Sequence, residues 1–140
     1  MNSRITKISD SDFDRAVLFP RRTAVVFFTA EWSEASGAAR GVFEAAADKY
    51  AAVADVYEID VDENRIIPTA YAVRRIPAAL IFTGGKLDES FAGAIIAERL
   101  DEKIEKLTRS VSFYDATAEA FKKTAARLES RVAMLLSELF

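Results

Sequence analysis

The chain has 140 residues, 51% hydrophobic and 29% charged, with a formal net charge of −3 and neither cysteine nor histidine. Disulfide exchange, a thiolate nucleophile or zinc site, an imidazole base and a Ser-His-Asp triad are all excluded. The small negative charge gives no reason to expect nucleic acid or an anionic membrane, and no apolar run approaches the ~20 residues of a membrane span. No spacing of carboxylates suggests a metal or other cofactor. Met1-Asn2-Ser3-Arg4 leads into a polar segment without a leader pattern, so a cytoplasmic location is the default expectation.

In chain order, residues 4–8 alternate and predict a short edge strand. Ser9-Asp10-Ser11-Asp12 is rich in capping residues, so a short helix with Phe13, Ala16 and Val17 inward is expected next. Phe19-Pro20-Arg21-Arg22 reads as a turn. Residues 23–29 are continuously apolar, the pattern of a strand buried on both faces. From Ser33 to about Tyr50 the period is helical, although Gly37 and Gly41 each cost ~1 kcal/mol against alanine. Residues 54–60 predict a second buried strand. Asp62-Glu63-Asn64 is expected to open a short helix ending near Tyr71, its acids favoured by the helix dipole. Ala78–Phe82 and Leu87–Ala92 read as two more core strands joined by a Thr83-Gly84-Gly85-Lys86 hairpin turn. Ile96, Leu100, Ile104 and Leu107 share one helical face. The order βαβαβαββα implies an α/β fold, a central mixed sheet with helices on both faces.

Several marks in fixed order give this pattern a likeness. Ala30-Glu31-Trp32 precedes a turn bracketed by Ser33 and Ser36. Asp62 follows the second core strand, Tyr71-Ala72-Val73-Arg74-Arg75-Ile76-Pro77 precedes the third, and Gly84, Gly85 and Gly93 follow. Over residues 4 to about 107 the chain resembles the thioredoxin family. The resemblance implies that fold, a cis proline at Pro77, and a groove in which backbone just before the proline pairs with an extended peptide. It places the groove at Trp32, Ser33, Glu34, Arg75, Ile76, Pro77 and Gly93.

The departures lie where the family's chemistry resides. Ser33 and Ser36 occupy the positions of the two active-site cysteines, and a hydroxyl has no dithiol–disulfide couple. Phe27 stands where the family carries a buried aspartate, Glu58 where it carries that aspartate's lysine, and Glu34-Ala35 where Gly-Pro is usual. Arg75 replaces a small residue and is long enough to fill part of the groove. Two readings follow. One is a natural redox-inactive module with no catalytic residue, its Ser33 serving as a helix cap. The other is a thiol-disulfide oxidoreductase whose two cysteines have been exchanged for serine. Arg74-Arg75 suits either a carboxylate or phosphate ligand or a solvated loop.

The resemblance ends near Leu107, dividing the chain into a domain over 1–107 and an extension over 108–140. In the extension Phe121, Ala125, Leu128, Val132, Leu135 and Leu139 recur every three or four residues, one apolar stripe of an amphipathic helix from about Asp115. That stripe is expected to fold back, pair with a second copy, or dock on another protein. Its polar face is too weakly basic for a membrane surface. The sequence therefore points to a module that binds a protein partner or unfolded client, in the manner of a co-chaperone, maturation factor or assembly subunit. A homodimer through the C-terminal helix is one form of it.

Overall fold

The computed structural model describes residues 4–93, 96 and 99–106. Its organising strand is β2 (Thr23–Thr29), in which every residue is buried. The apolar run makes this possible, because each face of the strand has its own cover. Val25 and Phe27 join one cluster, with Phe43, Ala46, Ile96, Leu100 and Ile104. Ala24, Val26 and Phe28 join another, with Phe13, Val17, Ile59, Ile67 and Phe82. At about 1.5–3 kcal/mol per large side chain, these two layers are the main favourable contribution to the fold.

The remaining strands are β1 (Ile5–Lys7), β3 (Ala54–Asp60), β4 (Ala78–Thr83) and β5 (Lys86–Ala92). They form one sheet in the order β1-β3-β2-β4-β5. β3 is parallel to β1 and β2, whereas β4 is antiparallel to β2 and β5. A 3-10 turn at Asp10–Asp12 and a π-helical turn at Asp14–Leu18 precede β2. Helix α1 spans Glu34–Lys49, α2 spans Ile66–Ala70, and residues 99–106 form α3, with Ile96 also helical. This is the mixed sheet with helices on both faces that the order of elements implied.

Two expectations need correction. The helix after β3 begins at Ile66, not at Asp62-Glu63-Asn64. Asp60 Oδ1 accepts the Asp62 amide at 2.8 Å, and the Asn64 side chain donates to the Asp60 carbonyl at 3.1 Å, which holds the segment as a turn. The acids there do not serve the helix dipole. The carboxylate at the N-terminus of α2 is Asp10, which accepts from the amides of Ile66 and Ile67 at 3.0 and 2.9 Å. β5, expected as a core strand, is an edge strand in which only Phe91 is buried, because it has one neighbour and one covered face. The hairpin before it has positive φ at both Gly84 and Gly85. Gly85 has a second reason to be glycine, since a Cβ there would lie 2.7 Å from the Leu18 carbonyl oxygen.

The extension over 108–140, with its stripe of Phe121, Leu128, Val132, Leu135 and Leu139, lies outside the described residues, as does Leu107. No helix among the described residues is long and apolar enough to cross a membrane.

Thr23 Oγ1 is the one buried side-chain polar atom without a hydrogen-bond partner among the described residues. Replacing it by a methyl group of the same shape removes an unpaid desolvation. Thr23→Val is expected to raise stability by about 1 kcal/mol. Chemical denaturation of both proteins checks this, and a loss of stability would show that the hydroxyl has a partner in solution.

Candidate functional site

β2 ends at the site. Ala30 follows it, Glu31 and Trp32 form the turn, closed by the Ser33 amide on the Ala30 carbonyl at 3.1 Å, and α1 starts at Glu34. Ser33 is extended and acts as the helix cap, its Oγ accepting the Ser36 amide at 3.1 Å. Ser36 is 1% exposed. Its hydroxyl accepts from the Ala30 amide at 3.3 Å and donates to the Ala30 carbonyl at 3.4 Å, closing the turn onto the end of β2. Both hydroxyls thus serve the backbone of the turn, and among the described residues neither is hydrogen-bonded to a titratable side chain.

Behind the serines is a polar pocket of about 230 Å³ lined by Lys7, Thr29, Ser33, Ser36, Arg40, Glu58 and Asp60 among others. Its centre is an ion pair. Arg40, two turns into α1, grips Glu58 of β3 with both terminal nitrogens, Nη1 to Oε1 at 2.9 Å and Nη2 to Oε2 at 2.7 Å. Thr29 Oγ1 donates to the same Oε2 at 2.8 Å. Burial pushes the Glu58 carboxyl up, but the hydrogen bonds from Arg40 and Thr29 and the guanidinium charge outweigh it, holding the pKa below the ordinary carboxylate value. The bond to Glu58 likewise raises Arg40. Beside the pair, Phe27 stacks on Phe43 with centroids 3.9 Å apart and planes at 14°. The Arg40 guanidinium lies 5.9 Å from the Phe27 centroid. A salt bridge between α1 and β3 therefore occupies this region, with an aromatic ring on β2.

The other side of α1 is different in character. Ala35, Ala38, Ala39 and Val42 face Ile76, Pro77, Gly93 and Ile96 across an apolar groove of about 390 Å³. The Ile76–Pro77 peptide is cis. The Gly93 amide donates to the Pro77 carbonyl at 2.9 Å, tying the end of β5 to the proline. Among the described residues, no hydrogen bond occupies the backbone of Ile76.

The residues expected at one groove are therefore divided. Ile76, Pro77 and Gly93 line the apolar groove. Ser33 lines the polar pocket. Trp32 is 68% exposed and donates from Nε1 to Asp62 at 3.2 Å, outside both linings. Glu34 and Arg75 are exposed and line neither, so Arg75 does not fill the groove. Sequence reading missed the alanine face of α1 and the Arg40 partner of Glu58. Signals for both existed: small residues at helical spacing from Ala35 to Val42, and Glu58 set between Tyr57 and Ile59 in a buried strand, an acid that demands a cation.

A sheet in this order, with a capped helix leaving β2 beside a cis-proline loop, defines a thioredoxin-fold protein. The thioredoxin family model matches residues 4–106. A thioredoxin of Acidithiobacillus ferridurans is 35% identical over 100 residues, 71% of this chain and 93% of that protein. One of Chlorobaculum thiosulfatiphilum is 34% identical over 100 residues, 69% and 93% of the two chains. Thioredoxin 2 of Chlorobaculum tepidum is 32% identical over 108 residues, 74% and 99%. The chain belongs to the thioredoxin family, and it does so with no cysteine.

Glu58 carries a pH signature. Its folded pKa is depressed, so its contribution is present above the unfolded pKa and is lost as pH falls through the folded one. Glu58→Gln is expected to cost about 2 kcal/mol near neutral pH. The gap to the unsubstituted protein should close as pH falls below about 4. Denaturation midpoints measured from pH 7 to 3 check this; a gap that stays constant would show that the ion pair adds no pH-dependent stability.

Proposed function

We propose that this chain is a redox-inactive thioredoxin-family module that binds a protein partner or unfolded client. The observation that carries the reading is a contrast within one site. Among the described residues nothing fills the apolar groove between α1 and the Ile76-Pro77 loop, while Ser33 and Ser36, at the polar pocket on the other side of the helix, are hydroxyls engaged by the turn backbone. An extended segment fits such a groove by setting apolar side chains against Ala38, Val42 and Ile76. Its backbone finds the unoccupied backbone of Ile76 alongside. The polar pocket adds rigidity rather than chemistry, because Arg40 and Glu58 neutralise each other.

The test fills the groove without touching its core. Ala38 is exposed on α1, so Ala38→Trp leaves the fold intact and occupies the groove. Titration calorimetry with a permanently unfolded, carboxymethylated client is expected to show about tenfold weaker binding, the scale of a lost anchor contact. Unchanged affinity would remove the groove from the proposal.

The names of the relatives support one alternative, an oxidoreductase deprived of its thiols. The double variant S33C/S36C separates the two readings. With Phe27 and the Arg40–Glu58 pair in place, it is expected to show little disulfide reductase turnover. Turnover equal to that of a thioredoxin assayed alongside would favour the alternative.

A further inference from the structure

The end of the sheet opposite Trp32 carries a surface that the groove does not explain. β2 is about 20 Å long. Its far end is entered through Phe19, Pro20, Arg21 and Arg22. β4 runs antiparallel to β2 with Phe82 opposite Ala24, which brings the Gly84–Gly85 turn beside that entry. The close approach of Gly85 to the Leu18 carbonyl makes the loop and the hairpin one continuous surface.

Three observations meet at this surface. Phe19 is 72% exposed and Leu87 is 45% exposed, so two large apolar groups face water at the same pole. Arg21 has φ of 58°, left-handed backbone in a residue that is not glycine. Strain of that kind persists only where the surroundings impose it, and it clusters in binding segments. The charges there are unbalanced. Arg22 Nε neutralises Asp55 at 2.9 Å, while Asp88 keeps its charge and only accepts a hydrogen bond from Thr83 Oγ1 at 2.8 Å, so Arg21 and Lys86 against Asp88 leave an excess of one cation. Among the described residues, neither Arg21 nor Lys86 has an acidic partner.

We propose that this pole is a second docking surface, and that it takes an acidic peptide segment carrying one aromatic or aliphatic anchor. The anchor sets against Phe19 and Leu87, and its flanking carboxylates meet Arg21 and Lys86. The complementarity favours a peptide over a lipid surface. An excess of one cation among the described residues and one exposed ring, on a chain of net charge −3, are too little to hold an anionic bilayer.

Amide chemical-shift mapping on the full chain tests this. The probes are a short peptide with one phenylalanine flanked by aspartate and glutamate, its lysine-flanked counterpart, and phosphatidylserine vesicles. The acidic peptide is expected to shift amides over 18–22 and 84–88, and the lysine peptide to leave them unmoved. The charge reversal R21E/K86E should weaken binding about tenfold, and so should Phe19→Ser. All three side chains are exposed, so the fold does not depend on them. Shifts confined to 35–42, 76 and 93 would overturn this proposal while supporting the groove. No shift, an affinity indifferent to charge reversal, or binding to vesicles in place of the peptide would overturn it as well.

Discussion

The rest of the molecule depends on β2 being buried on both faces. A strand in that position cannot hold an uncompensated charge, and here it holds none: Phe27, at its centre, is an aromatic ring packed flat on Phe43. That choice moves the polar chemistry of the region onto neighbouring elements. Glu58 on β3 takes up the charge, Arg40 on α1 answers it, and Thr29 at the end of β2 supplies the last hydrogen bond. A buried acid with one bidentate partner and one hydroxyl is well satisfied, whereas the same acid alone would be a severe burden. The three residues therefore work as one unit, and each fits the fold because the other two are present.

Two sides of α1 follow from this arrangement. Towards β3 the helix presents Arg40 and the cap at Ser33, a polar face that closes on itself. Towards Pro77 it presents alanines and Val42, a face with apolar area and no hydrogen-bonding demand. Small side chains leave the space that makes the groove. One helix thus separates a satisfied polar pocket from an apolar groove that no described residue fills.

Much of the architecture was legible in the sequence because hydrophobic period is a direct image of burial. The runs over 23–29 and 54–60 could only be internal strands, and the helical spacing from Ser33 to Tyr50 matches α1 almost to its ends. What could not be read depends on contacts far apart in the chain. Asp62-Glu63-Asn64 looks like a helix start by composition. Its carboxamide and amide groups are instead held by Asp60, and α2 finds its carboxylate on Asp10. β5 carries apolar Leu87, Phe91 and Ala92 and so reads as a core strand, but sheet order, which no local pattern encodes, puts it at the edge. The site shows the same division. Pro77 and Ile76 were found through local motif, while Arg40 was missed because its meaning lies in Glu58, eighteen residues on.

The Asp10 carboxylate links regions that sequence distance would keep apart. It holds the first two amides of α2 from 56 and 57 residues away, while the Asp10 amide donates to Asn64 Oδ1 at 2.8 Å. The stretch before β2 therefore cannot fray by itself, since opening it would also strip α2 of its cap. Those two segments form one cooperative unit. The loop that carries Ile76 and Pro77 starts where α2 ends, so the shape of the groove's rim is set partly by a side chain at the other end of the domain's sequence.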